Sequence, residues 1–507
     1  MVDSSSLATP APLKARRALI DTYQQAVVYL RTDCPVCRAE GFEAQAEVEI
    51  VARGHELPAV LHRVDADWLA DDEVAMSEAA WALLGVEAGE AVLVRHASPR
   101  ESLSALRAKV YGRRFDYPAL RLLMSDIGRG RVSDLHLASF VTACAGGRLD
   151  QAEIIALTRA MVDVGERLHW SVSPVMDKHC VGGLPGNRTT PIIVAIVAAC
   201  GVVMPKTSSR AITSPAGTAD AMEMLAPVTL DRTALRKVVE REGGCIAWGG
   251  AAGLSPSDDA LIRVERPLDL DSEAQLVASV LSKKIAAGSE RVVVDMPVGP
   301  TAKVRSSAAA HSLSAALMAV GAAVGLQVKV VESDGRQPVG IGIGPALEAR
   351  DVMAVLSGDK AAPADLRERA LMLAGVVLEM AGRCPEGGGL SLARRTLDSG
   401  RALAKFIAIC EAQGGLRSPP RASHVRDVTA PTAGRIGAID NRRLARAAKL
   451  AGAPSDPAAG AEIRVRLGDR VDIGQPLFRL HAESRGELAY ALAYVEAQAP
   501  IVAIDAS

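Results

Sequence analysis

Short apolar runs alternate with helix-patterned stretches between residues 172 and 250, and again between 290 and about 415. This alternation constrains the fold more than anything else in the sequence. "VVVDMPVG" (292–299) and "LQVKVVES" (326–333), for example, flank "HSLSAALMAVGAAVG" (311–325). Strands that recur with a helix between them build an α/β layer. The stretch 256–287, between the two parts, reads as helix. So does 103–170, where Ile154, Leu157, Met161, Val162 and Leu168 recur at three- and four-residue spacing. A helical domain assembled from two separate pieces of chain is therefore expected.

The two ends read differently. "QAVVYLR", "EAQAEVEIVARG" and "GEAVLVRHA" alternate with period two, the mark of half-buried strands. After the Pro-rich joint "RSPPRASH", short strands return. Within them "VRLGDRVDIGQPLFRLHA" has the spacing of a biotinyl-carrier hammerhead but no hairpin lysine to carry a cofactor, so it reads as structural. The expected organisation of this α/β multidomain chain is a disordered start (to about residue 15) and small β-rich N-terminal domain over 1–98, and a discontinuous helical domain at 99–170 and 254–289. A central α/β domain at 171–253 and 290–418 and a C-terminal α+β hammerhead-like domain at 419–507 complete it.

Composition excludes several partners. A formal net charge of −1 leaves no basic footprint for nucleic acid, and 3% aromatics leave few stacking surfaces for single strands. The most apolar run, Pro191 to Pro205, is shorter than a membrane span. The first residues lack a secretory signal pattern, and eight scattered cysteines suggest a reducing compartment. A cytoplasmic protein without a membrane partner is expected. Cys34 and Cys37 form a lone "CPVC", half of a zinc site, so no metal is expected.

The chemistry concentrates in "DKHCVGGLPGNRTT" (177–190) and "KTSSRAITSPAGTAD" (206–220). In the first, Thr190 suits an N-cap and Pro191 a first helical position, so a glycine-bearing loop runs into the N-terminus of a buried helix ended by Gly201. Such a terminus favours an anion, with Lys178 adding charge and Thr189 and Thr190 adding hydroxyls. The segment by itself also reads as a well-capped turn. The second loop repeats the arrangement, with Ser208, Ser209, Arg210, Thr213, Ser214 and Thr218. Two donor-rich loops, each after an apolar run and before a helix, fit the carboxyl-end crevice of an α/β sheet.

These two stretches, with "RTDCPVCRAEGFEAQ" near the start, resemble the signature regions of the thymidine phosphorylase family, especially its long branch, which includes AMP phosphorylases. The resemblance runs from about residue 20 to the end. It implies displacement of a nucleobase from C1′ of a pentose by inorganic phosphate, with no other cofactor. Lys178, Ser208 and Thr218 match phosphate-contacting positions; Gly183, Ser209, Arg210, Ala211, Ile212, Thr213, Ser214 and Thr218 match substrate-binding positions of AMP phosphorylases. In "DLDSEAQLVASVLSKKIAAG", Asp271 matches a proposed proton donor, and Ser279 and Lys283 match base-binding residues. His179 matches a sugar- or base-side histidine and Lys303 another substrate contact.

Read from the residues alone, Asp271 is equally an N-cap, Ser279 and Lys283 an exposed helix face, Lys303 a solvated loop lysine, and His179 a locally bonded loop residue. The resemblance also implies a cleft between helical and α/β domains, and a homodimer or larger homo-oligomer. Two substrates stay open: a pyrimidine nucleoside such as thymidine, or a nucleoside 5′-monophosphate such as AMP. The short thymidine phosphorylases carry a base-binding Arg where this chain has Val264, with Arg263 and Arg266 nearby, and Arg210 among hydroxyls could grip a 5′-phosphate. An anthranilate-type phosphoribosyltransferase, which would need an acidic pair for Mg²⁺, and a non-catalytic nucleotide sensor are the rivals.

Overall fold

The alternating N-terminal segments close on themselves. In a computed structural model of the protein, which describes residues 12–505 apart from Ile212, Thr213, Asp269 and Asp271 and omits the Arg266 side chain, six strands form a barrel. They are β1 (Leu13–Arg17), β2 (Val27–Arg31), β3 (Glu47–Ala52), β4 (His55–Val64), β5 (Glu73–Met76) and β6 (Ala91–His96), in the order β1-β5-β2-β4-β3-β6. Every second residue points inward, as period two requires: Val28 and Leu30, Val48 and Ile50, and Val74 and Met76 have no exposed surface. The expected disordered start lies outside the described residues up to position 11. From Leu13 the chain is already a strand, because Leu13 and Ala15 are buried in the barrel core. Cys34 and Cys37 are buried in that same core, where burial pushes the Cys37 thiol up.

The described chain forms two units: residues 1–160 with 256–272, and 161–255 with 273–507. In the first, helices Glu101–Val110, Tyr117–Gly128, Asp134–Cys144 and Pro256–Leu268 pack around Leu120, Leu123, Met124, Leu137 and Phe140. Glu153 is buried among them and accepts from Lys109 Nζ at 2.7 Å and the Phe115 amide at 2.8 Å. The second helical piece of the sequence divides at Ser272/Glu273. Helix Glu273–Ala286 belongs to the second unit, where it packs on helix Ser307–Ala323.

The second unit holds the α/β layer. Strands β7 (Met176–Cys180), β8 (Met204–Ser208), β9 (Gly244–Trp248), β10 (Arg291–Val298) and β11 (Gln327–Asp334) all pair in parallel. The order is β11-β10-β7, a parallel bridge between Val175 and Val203 links β7 to β8, and β8 pairs β9. Helix Thr189–Ala199 is buried from Thr189 to Ala198, enclosed by helices Ala364–Met380 and Arg401–Ala412. It starts two residues earlier than expected: the N-cap is Arg188, without a side-chain cap, rather than Thr190, and the Thr189 hydroxyl accepts from Lys178 inside the first turn.

The C-terminal part is α+β, as its patterning suggests. One sheet runs Gly342–Ile343, Gly460–Ile463, Pro476–Ala482, His424–Thr429; a second joins Arg470–Val471, Gly434–Ile439 and Val502–Asp505. Helices Asn441–Leu450 and Arg485–Ala497 pack on them. Gly342–Ile343 comes from the α/β region, so the two regions share a sheet. Among the described residues, no helix is long and apolar enough to cross a membrane.

Candidate active site

Parallel strands bring their carboxyl ends to one edge, and both signature loops leave from that edge. Alternation along β7 divides the first motif between two faces. Lys178 turns to one side, fully buried, where its Nζ donates to Thr189 Oγ1 at 2.9 Å and stands 3.7 Å from Asp295 Oδ2. Asp295 lies on β10 and also accepts from Asn187 Nδ2 at 3.0 Å and Ser333 Oγ at 2.7 Å. Burial pushes the Asp295 carboxyl up, but Lys178 and these donors outweigh it and hold it below the usual range.

Asp177 faces the other side, buried between two lysines. Lys206 Nζ, from β8, lies 3.2 Å from its Oδ1, and Lys284 Nζ, from helix Glu273–Ala286, lies 2.9 Å from its Oδ2 without hydrogen-bond alignment. Three buried lysines (178, 206 and 284) thus meet two buried carboxylates beneath the loops. Burial, and then Lys284, push the Lys206 ammonium well below its ordinary value despite Asp177. His179, half-buried on the same strand, is also driven well below its ordinary value, by burial and then by Lys284, Lys206, Lys283 and Lys178. At neutral pH its ring is uncharged and can donate or accept one hydrogen bond.

The glycines of the first loop permit close approach. Gly183 has φ +76°, and a Cβ there would stand 2.3 Å from the Lys303 backbone nitrogen. The two loops carrying Gly183 and Lys303 are therefore brought into contact, and Lys303 is half-buried. Arg188 ties the first loop to the second: it donates to Thr218 Oγ1 at 2.6 Å and Ala216 O at 2.9 Å, and pairs with buried Glu348. In the second loop, Asp220 accepts from the amides of Ala211 (2.6 Å) and Gly217 (2.8 Å), and Ser214 Oγ donates to Ala216 O. Ser208 is half-buried at the end of β8, while Ser209 and Ser214 are exposed.

Arg210 is committed elsewhere. Its guanidinium donates to Glu223 at 2.6 and 3.0 Å and to Asp220 at 3.3 Å, and lies 5.0 Å from the centroid of the Trp248 ring. Two carboxylates thus already neutralise the cation that the alternative reading offers to a 5′-phosphate. On helix Glu273–Ala286, Ser279 and Lys283 are half-buried on the less covered face, opposite buried Val277 and Leu281. Val264, at the place of the short enzymes' base-binding Arg, is buried in the helical unit; neighbouring Arg263 is paired with Asp134 at 2.6 Å. Asp271, Ile212 and Thr213 lie outside the described residues. Among the described residues, no group of three or more His, Cys, Asp and Glu side chains gathers where a metal could be held.

Sequence reasoning singled out Lys178 but missed Asp177, Lys206, Lys284, Asp295 and Arg188. All five stand within the quoted stretches. Their charge was visible there, and their pairing was not.

Comparison with known proteins agrees along the chain. Residues 103–165 match the glycosyl transferase family, helical bundle domain; residues 172–403 match the glycosyl transferase family, a/b domain; and residues 435–502 match the pyrimidine nucleoside phosphorylase C-terminal domain. "Putative thymidine phosphorylase 2" of Acidovorax sp. (strain JS42) is 63% identical over 493 residues, 97% of this chain and 96% of the relative. "Putative thymidine phosphorylase" of Polaromonas sp. (strain JS666 / ATCC BAA-500) is 61% identical over 97% of each chain. The solved anthranilate phosphoribosyltransferase of Thermus thermophilus shares the fold at TM-score 0.51 and 20% identity, covering 61% of this chain and 99% of its own.

Proposed function

We propose, from the premise that this chain belongs to the thymidine phosphorylase family and is a pentosyltransferase, that it cleaves a pyrimidine nucleoside with inorganic phosphate: thymidine and phosphate give thymine and 2-deoxyribose 1-phosphate. Phosphate serves as co-substrate and no further cofactor takes part. A phosphate oxygen bonds to C1′ while the C1′–N bond breaks and its electron pair leaves with the base, which then gains a proton. Asp271 remains the candidate donor of that proton, and we place the reaction in the cytoplasm of a homo-oligomeric enzyme.

The observation that carries this reading is the lysine trio beneath the two loops, set against two carboxylates at the carboxyl ends of parallel strands. A buried cationic floor favours an anion above it, and preorganised charge is what an oxocarbenium-like displacement needs. Ser208, Thr218, Gly183 and Lys303 border the loops where the anion would sit, with neutral His179, Ser279 and Lys283 as candidates for the nucleoside. A nucleoside rather than its 5′-monophosphate fits better, since Arg210 is already paired with Glu223 and Asp220.

The test is free-base release from thymidine, uridine, cytidine, AMP, CMP and UMP, each with and without inorganic phosphate. Release from thymidine that requires phosphate is expected. Release from monophosphates alone would overturn the nucleoside assignment, and release without phosphate would overturn phosphorolysis.

A further inference from the structure

Beside the sheet they share, one buried side chain ties the C-terminal region to the α/β layer. Asn441, the first residue of helix Asn441–Leu450, is 1% exposed. Its backbone N–H donates to Thr301 Oγ1 at 3.2 Å, and its Nδ2 donates to the same oxygen at 3.1 Å and to Gly335 O at 2.9 Å. Thr301 lies in the loop after β10, and Gly335 directly follows β11. One amide therefore clasps the exits of two neighbouring strands.

That clasp bears on the site through a short path. The loop folds back on itself, with Gly299 N donating to Val304 O at 3.0 Å and Ala302 N to Gly299 O at 3.1 Å. Lys303 stands two residues beyond Thr301, and its backbone abuts Gly183 of the first signature loop. A second strut supports the other end of that signature loop. Arg466 donates to Pro338 O at 3.0 Å and Gly340 O at 2.6 Å, and Val339 N donates to Pro185 O at 3.2 Å. A buried amide left without its acceptors would be costly, so the clasp holds one loop geometry.

We infer that Asn441 is a positioning residue that fixes the Lys303 loop against Gly183, so that the C-terminal domain sets the affinity of the active site for phosphate. The consequence for turnover rests on the phosphorolytic reading above; the consequence for loop order does not. Asn441 touches no reacting atom and acts through Thr301 and Gly335. Its loss weakens ground-state binding more than the chemical step.

The full-length enzyme is compared with Asn441→Ala, Thr301→Val and Thr301→Ser. Asn441→Ala is expected to raise the KM for inorganic phosphate about tenfold while kcat stays within about twofold. Hydrogen exchange at the Gly299 and Ala302 amides speeds up, while the sheet containing His424–Thr429 and Pro476–Ala482 keeps its protection. Thr301→Val, which keeps the shape but removes the shared acceptor, shifts both readouts the same way, and Thr301→Ser restores them. Wild-type phosphate KM and wild-type exchange in folded Asn441→Ala protein would overturn the inference, as would equal effects of Thr301→Val and Thr301→Ser. Should Asn441→Ala not fold, the Thr301 pair decides. A wild-type enzyme that releases no base with phosphate would count against the functional reading alone, and loop exchange would then judge the positioning role.

Discussion

Lys206 sits where a positive charge is hardest to keep. It is 4% exposed, shares Asp177 with Lys284, and is pushed well below its ordinary value by burial and by that second lysine. An anion above it would reverse the push, so binding should draw a proton onto the amine. The sign follows directly: burial lowers the group in the free protein, the bound anion raises it, and affinity falls as pH rises. Sulfate is the cleaner probe, because it does not titrate near neutrality. Calorimetry in two buffers of different ionisation heat should show proton uptake on sulfate binding, and Lys206→Met should abolish it. Uptake that persists in that variant would move the effect to another group. The hydroxyls of Ser208 and Thr218 were legible in the sequence, since a Ser/Thr-rich loop announces itself locally. The role of Lys284 was not, because its partner Asp177 is more than a hundred positions away and the two meet only in the folded chain.

Loop and helix termini carry the next level of argument. Gly182 and Gly183 both have positive φ, +94° and +76°, but only Gly183 has backbone within reach of an added Cβ. Gly182→Ala should therefore cost about 1–2 kcal/mol of backbone strain and leave the phosphate KM near wild type. Gly183→Ala adds a collision with the Lys303 backbone, and should cost roughly 2–4 kcal/mol and raise the phosphate KM at least about tenfold. Thermal melts and steady-state kinetics on the two variants separate strain from contact; equal KM values would mean that the loops do not depend on each other. The same elements show how far local pattern reaches. The loop-to-helix transition at residues 182–189 was readable from glycine and threonine placement. The helix start lies two residues earlier than the capping pattern placed it, and Lys178 holds the Thr189 hydroxyl in its first turn, a tertiary fact no capping preference contains.

At the scale of the molecule, the α/β alternation, the β-rich N-terminal region and the C-terminal α+β region were all foreshadowed by periodicity, because each repeats its signal over many residues, whereas the closure of the N-terminal strands into a barrel was not. The second helical piece was harder to divide. Pro256–Leu268 and Glu273–Ala286 have similar patterns, yet they belong to different units, and the distinction lies in which neighbours each helix meets. The helix Thr189–Ala199 has a further consequence, one of timing. Its buried residues run without interruption from Thr189 to Ala198, and part of its cover is Phe406, Ile409 and Cys410, from helix Arg401–Ala412. A ribosome adding about 5–20 residues per second leaves this greasy segment uncovered for about 10–40 s before that helix is made. A nascent chain arrested before Arg401 should therefore bind holdase chaperones and partition to the pellet, while one arrested well past Ala412 should not. Translation speed across the intervening codons becomes a determinant of yield.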